Sequence, residues 1–258
     1  MGKLRVFLFT FLSTLIFSSI SLGQDMEERK MNMVSLFEID PSKEEQFKEA
    51  WKVIRDTAIA NDYAYTDYVG SWRNMHWMVT PLKNFADVDA LWAARNAVEE
   101  KGGRKFERAM DDFLGAMTNS HTFFTIDDAD LSYWPEGAEA GSYMEIDTFY
   151  YDYGKKDEMR ELLADYKALM AEKDLPYPYQ VSWDSLGTEG NSVTIISYAE
   201  DAVALAQSDA ATAEAMEGDE MAESIFERYL NIATRSKTMR GKYHADISIN
   251  VPEMDEEM

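Results

Sequence analysis

Residues 33–39 read MVSLFEI, and residues 144–150 read MEIDTFY. Each is a short strand-like run that precedes a polar turn and a helical pattern. After the first run Phe47, Trp51, Ile54 and Ala58 recur at i, i+4, i+7 and i+11; after the second, Met159, Leu162, Leu163, Tyr166 and Met170 keep the same period. That spacing gives each helix one buried face. Asp40-Pro41 suits a helix start, with proline tolerated in the first turn, and Ser42 with Glu45 offers a capping box.

The correspondence continues along the chain. Ser71-Trp72 and Ser182-Trp183 sit in β-prone runs, and turns at Arg73-Asn74 and 187–191 lead to second strands at 75–80 and 192–198. Phe85-Ala86-Asp87 matches Tyr198-Ala199-Glu200, ahead of helices interrupted by Gly102-Gly103 and by Gly218. Phe106-Glu107-Arg108 matches Phe226-Glu227-Arg228, and the run from His121 to Ile126 matches His244 to Ile249. The offset is 112 residues from Phe37 to Phe149, 111 from Trp72 to Trp183, 113 from Phe85 to Tyr198, 120 from Phe106 to Phe226 and 123 from His121 to His244. A nearly constant offset that grows late is what duplication with insertions produces. The expected organisation is a first unit over 31–126, an acidic, turn-rich connection over 127–142, a second unit over 143–251 and an acidic tail over 252–258.

Each unit reads β-α-β-β-α-β with its second helix divided, the order of a ferredoxin-like unit with helices on one sheet face. A lone sheet of this kind shows one polar face. Here Met33 and Phe37 point one way while Val34 and Leu36 point the other, and the adjacent Phe123 and Phe124 point apart. The second face needs a cover, and the sister sheet supplies it. The expected fold class is α+β: two tandem ferredoxin-like βαββαβ units with sheets packed face to face.

On this element order and duplication, residues 31–251 resemble the dimeric α+β barrel superfamily, and within it tandem NIPSNAP-like or antibiotic-biosynthesis-monooxygenase-like proteins. The resemblance implies an intramolecular dimeric α+β barrel. It implies relatives that include cofactor-free monooxygenases, haem-degrading enzymes, haem peroxidases and chlorite-dismutase-like proteins, with ligands held between a sheet and its own helices. Haem-degrading members use an Asn on the first strand with a Trp and a His on helices. Asn32 and Trp92 fall at such places, but no histidine does, so no catalytic residue is carried over from them.

Composition narrows the classes. The 258 residues hold 25 Lys+Arg against 48 Asp+Glu, a net charge of −23, and no cysteine. Disulfides, thiolate metal sites and cysteine nucleophiles are excluded. The acidic balance argues against nucleic acid or an anionic membrane surface as partner. Residues 1–23, MGKLRVFLFTFLSTLIFSSISLG, have the basic start, apolar stretch and small-residue cleavage site of a signal peptide. The expected location is bacterial and extracytoplasmic, periplasm or medium, with no membrane association after cleavage. Fusion of the units makes an oligomer unnecessary.

The three histidines, His76, His121 and His244, are the catalytic candidates. His121 and His244 fall at matching positions, at the start of each unit's last strand, so they read either as equivalent pocket groups (proton donor, general base or haem ligand) or as hydrogen-bonded strand-start residues inherited by both copies. His76 lies on the strand face opposite Met75 and Trp77. Trp72, Arg73, Trp77, Trp92, Phe124 and Trp183 are the ligand-binding candidates: rings with Met75 and Met78 accommodate flat apolar molecules, and Arg73 can anchor an anion. The same side chains serve equally as core. No HExxH, EF-hand, GxSxG, Walker or GxGxxG motif is present, so no metal site is expected. No cofactor is expected, with haem left open by the resemblance. The leading functional expectation is a secreted module that binds a small apolar or aromatic ligand or serves a structural or interaction role. The alternative is an oxidoreductase of the cofactor-free monooxygenase or haem-linked kind.

Overall fold

The computed structural model describes residues 30–251; the expected signal peptide and the acidic tail lie outside the described residues. The strands are β1 Met31–Ile39, β2 Tyr68–Trp72, β3 Met75–Leu82, β4 Met117–Asp127, β5 Tyr143–Tyr151, β6 Tyr179–Leu186, β7 Ser192–Ala199 and β8 Ala233–Tyr243. The helices are α1 Glu44–Ala60, α2 Asp87–Ala116, α3 Lys156–Glu172, α4 Ala202–Met216 and α5 Glu220–Ile232. Gly103 takes a non-helical φ of 56° inside α2 and kinks it there, and Gly218 at φ 70° separates α4 from α5. Both conformations favour a residue without a Cβ.

All eight strands close into one antiparallel barrel in the order β1-β3-β2-β8-β5-β7-β6-β4. The sheets do more than face one another. Their edges are hydrogen-bonded, at Gly70–Tyr243 and Ser71–Lys242 on one seam and at Thr125–Asp184, Ile126–Trp183 and Asp127–Ser182 on the other. Closure removes open edges along these stretches.

Alternation sorts each strand into a helix-facing and a lumen-facing set. On β1, Met31, Met33 and Phe37 join Phe47, Trp51, Leu91 and Phe113 in one apolar core under α1 and α2. A second core lies under α3 and α5, with Tyr151, Met159, Leu163, Val181, Val193 and Ile225. The lumen is filled in part by Trp77, whose indole lies against Gly70 and Gly241; a Cβ at either glycine would collide with it.

The observed register corrects two alignments made from sequence. Ser71 pairs with His76 on β3, and Trp183 pairs with Val193 on β7. Since His76 and Val193 sit opposite Phe37 and Phe149, the counterpart of Trp183 is Ser71, not Trp72. A one-residue slip moves a strand side chain to the other face, so Trp72 faces the lumen while Trp183 is buried under the helices. The helical match of Phe106 with Phe226 is one turn out. Phe113 meets Phe37 edge-on at 5.6 Å, as Tyr229 meets Phe149 at 5.3 Å.

Candidate functional site

His76 has the most distinctive setting of the three histidines. It lies on the helix-facing side of β3, 6 % exposed, with its ring centroid 4.7 Å from that of Phe47 on α1. Its Nδ1 is buried and has no hydrogen-bond partner. It borders a narrow cleft with room for about one water, lined by Phe37, Phe47, Trp51, Val69, Trp77, Met78 and Ile247. Burial, and next the nearby His244, depress the His76 imidazole to about 4, so it is neutral at physiological pH.

His244 comes from the far end of the chain. After β8 the backbone crosses back to the first sheet, where the His244 N–H donates to the Val69 carbonyl at 2.8 Å and Ile249 bridges Asp67. Trp51 Nε1 donates to the Ile247 carbonyl at 2.9 Å, which ties the segment to α1. The His244 ring nitrogen Nε2 lies 2.7 Å from Ser71 Oγ, and Ser71 stands directly opposite His76. Half burial lowers the His244 imidazole as well, against the opposing pull of Asp246. Glu44 and Lys48 of α1, paired at 2.7 Å, are the other charges felt at His76.

The same exchange occurs on the other half, with different chemistry. The Asp128 N–H donates to the Val181 carbonyl at 2.8 Å, and Tyr133 bridges Tyr179. The Val181 N–H donates to Ser132 Oγ at 2.9 Å, just as the Val69 N–H donates to Ser248 Oγ at 2.9 Å. Asp128 therefore holds the place of His244, and Trp183 the place of Ser71. Trp183, 5 % exposed, donates its Nε1–H to Asp128 at 2.9 Å, Arg160 forms an ion pair with the same carboxylate, and Lys156 lies over the indole at 5.0 Å. Burial alone would raise the Asp128 carboxyl, but Trp183 and Arg160 outweigh it and hold it low. Where the second half carries a large indole bonded to a buried carboxylate, the first half carries a serine hydroxyl opposite His76.

The other candidates from sequence disperse. His121 is exposed in the middle of β4, faces the lumen side and stacks on Phe123 at 5.6 Å. It is not the equivalent of His244, which follows β8 rather than lying within it. Trp72 lies under the Arg73 guanidinium at 4.7 Å, at the hairpin, with Arg73 at φ 55°. Trp92 is half exposed on α2 beneath Arg95, and Phe124 packs edge-on against Phe85 at 5.4 Å. Of the six ligand-binding candidates only Trp77 borders the cleft. Ser71, Phe47, Trp51 and Ile247 were missed. The signal for them was present: DADLS at 128–132 and HADIS at 244–248 are the two crossing segments, and they align the chain ends directly.

No family model matches the chain, and no curated protein matches it. Solved structures do. An anthrone oxidase-like protein superposes with a TM-score of 0.57 at 15% identity, over 85% of this chain and 93% of that one. A monooxygenase candidate from Lactobacillus acidophilus NCFM gives 0.52 at 8% identity, over 84% and 94%. A chlorite dismutase variant from Candidatus Nitrospira defluvii gives 0.50 at 10% identity, over 83% and 91%. The expectation of a binding or interaction module as the leading function is corrected by these neighbours: the barrels that share the fold are named for oxidation and related chemistry, which favours the oxidoreductase alternative. At this identity the likeness is one of fold, and the chain has the fold of the dimeric α+β barrel superfamily.

Proposed function

We propose that the protein is an oxidoreductase that oxidises a small, electron-rich hydroxylated arene with molecular oxygen, in the cleft beside His76. The observation that carries this reading is a buried, neutral imidazole with a free Nδ1 at an aromatic-lined cleft, where the other half has a buried Trp183 bonded to Asp128 in the place of Ser71. A neutral imidazole is the form that accepts a proton, and one held near 4 is a weak base, suited to an acidic substrate hydroxyl. Removal of the substrate hydroxyl proton by His76 leaves an electron-rich anion that reduces oxygen. A carbon–oxygen bond then forms, the peroxide takes a proton, and loss of water with the ring hydrogen gives the quinone. One arene and one oxygen molecule become one quinone and one water. Phe47 and Trp51 are buried against Phe113, so a flat substrate is admitted only as Phe47 leaves the His76 ring.

Haem fits this cleft poorly. The cleft has room for about one water, far below the roughly 300–1,000 Å³ of small-molecule pockets, and Phe47 covers the His76 ring. No step is assigned to haem.

The two halves support a reading as fused ferredoxin-like units, over 31–126 and 143–251. The matched caps of α1 and α3 favour it: Tyr63 N–H bonds Ala58 and Asp62 N–H bonds Ile59, while Leu175 bonds Met170 and Asp174 bonds Ala171. Residues 1–23 favour work outside the cytoplasm.

The test is oxygen uptake by purified full-length protein with naphthol and anthrone as probes, followed by quinone absorbance. His76→Phe should lower turnover by about 10²-fold or more, the scale of general-base catalysis. Unchanged turnover in a folded His76→Phe protein would remove His76 from the reaction.

A further inference from the structure

Resting on the oxidoreductase reading of the His76 cleft, we propose that His244 receives the proton that His76 takes from the substrate, with the Ser71 hydroxyl as the bridge between the two imidazoles.

The arrangement has three parts. His76 borders the cleft and has no partner at Nδ1 to which it can pass a proton. Ser71 stands opposite it on the neighbouring strand, where facing Cβ atoms lie about 5 Å apart. Ser71 Oγ in turn lies 2.7 Å from His244 Nε2. The transfer balances as follows: the His76 imidazolium gives a ring proton to Ser71 Oγ through one water, while the Ser71 hydroxyl proton moves to His244 Nε2. His244 then delivers it to solvent, and His76 is neutral for the next substrate.

The surroundings favour this direction. His76 is the more deeply buried imidazole, and positive charge on the two rings is mutually repulsive, so the pair holds one proton more readily than two. The charges that face the pair are Glu44 and Lys48 on α1, Lys242 at the end of β8 and Asp246 on the crossing segment. Asp246 favours the protonated form of His244; Lys48 opposes charge on both rings.

The other half supplies an internal contrast. There Asp128 stands in the place of His244 and is clasped by Trp183 and Arg160. That clasp immobilises a carboxylate and fills the space. The His244–Ser71 pair keeps the backbone crossing but replaces the clasp with two groups that each both donate and accept a proton. His244 acts through His76, so it is a positioning and relay residue.

The experiment uses full-length Ser71→Ala and His244→Gln. Three readouts are oxygen uptake with naphthol from pH 5 to 9, the solvent deuterium isotope effect on kcat, and NMR titration of the His76 ring nitrogens. Both variants should lower kcat on the order of 10-fold, less than loss of the base itself. They should also enlarge the isotope effect, and imidazole added to the buffer should restore His244→Gln. The His76 ring should titrate at higher pH in His244→Gln, because a repelling charge has gone. Wild-type kcat, isotope effect and pH profile in both variants would overturn the relay. So would a His76 titration unmoved in His244→Gln, a result that can be read even if the wild-type protein takes up no oxygen. Absence of uptake by the wild type, with the NMR coupling intact, would instead sink the oxidoreductase reading.

Discussion

Replacing His76 by phenylalanine should change how the protein responds to acid, and the size follows from the burial of the ring. The imidazole titrates near 6.5 when unfolded and is depressed to about 4 in the folded protein. The folded pKa lies below the unfolded one, so the stability contribution is complete above pH 6.5. It is lost as the unfolded chain takes up a proton that the folded chain refuses. By pH 4 the loss reaches about 3 kcal/mol, and at pH 5 it is about 2 kcal/mol. Phenylalanine cannot take up that proton. It also removes the buried, unpartnered Nδ1, whose desolvation costs about 1–3 kcal/mol. Urea midpoints of wild type and His76→Phe should therefore differ little, or favour the variant, at pH 7.5, and favour the variant by about 2 kcal/mol more at pH 5. Asp147 and Asp184, raised to about 6 by burial, titrate in the same window with opposite sign. They are common to both proteins and cancel in the difference. If wild type and variant lose equal stability between pH 7.5 and pH 5, the imidazole is not held neutral by burial and the argument fails.

Three further outcomes are expected. Ser71→Trp should rebuild in the first half the plug that Trp183 forms in the second, abolishing oxygen uptake while circular dichroism and melting temperature report a folded barrel; retained activity would show that the cleft is not the site. Asp62 and Asp174 occupy left-handed backbone at φ 53° and 51° after α1 and α3, so glycine at each should stabilise by about 1 kcal/mol and raise the melting temperature by a few degrees; a lower melting temperature in both would contradict the cap assignment. Gly241→Ala drives a methyl into Trp77 and the Ser71 carbonyl, and should destabilise by about 1–3 kcal/mol in chemical denaturation; an unaffected midpoint would mean that Trp77 moves aside freely.

Periodicity carried much of the fold into the sequence. The i, i+4, i+7 spacing of Phe47, Trp51 and Ile54 marks α1, and two-faced strands such as β1 demand a second sheet; both follow from local geometry and the need to bury apolar surface. Gly103 and Gly218 fall at the breaks in the helices because positive φ is local too. The site was not legible in the same way. Matching histidines drew His121 and His244 together, although one lies within a strand and the other on a segment that crosses to the opposite half. A slip of one residue placed Trp72 where Ser71 belongs, and on a strand that exchanges lumen for helix face. The sequence by itself determined which side chains must be buried and in what order the elements run. Only the closed barrel decided that residue 244 meets residue 71, and that a serine rather than a tryptophan stands beside His76, because those contacts join segments far apart in the chain through seams that no local pattern encodes.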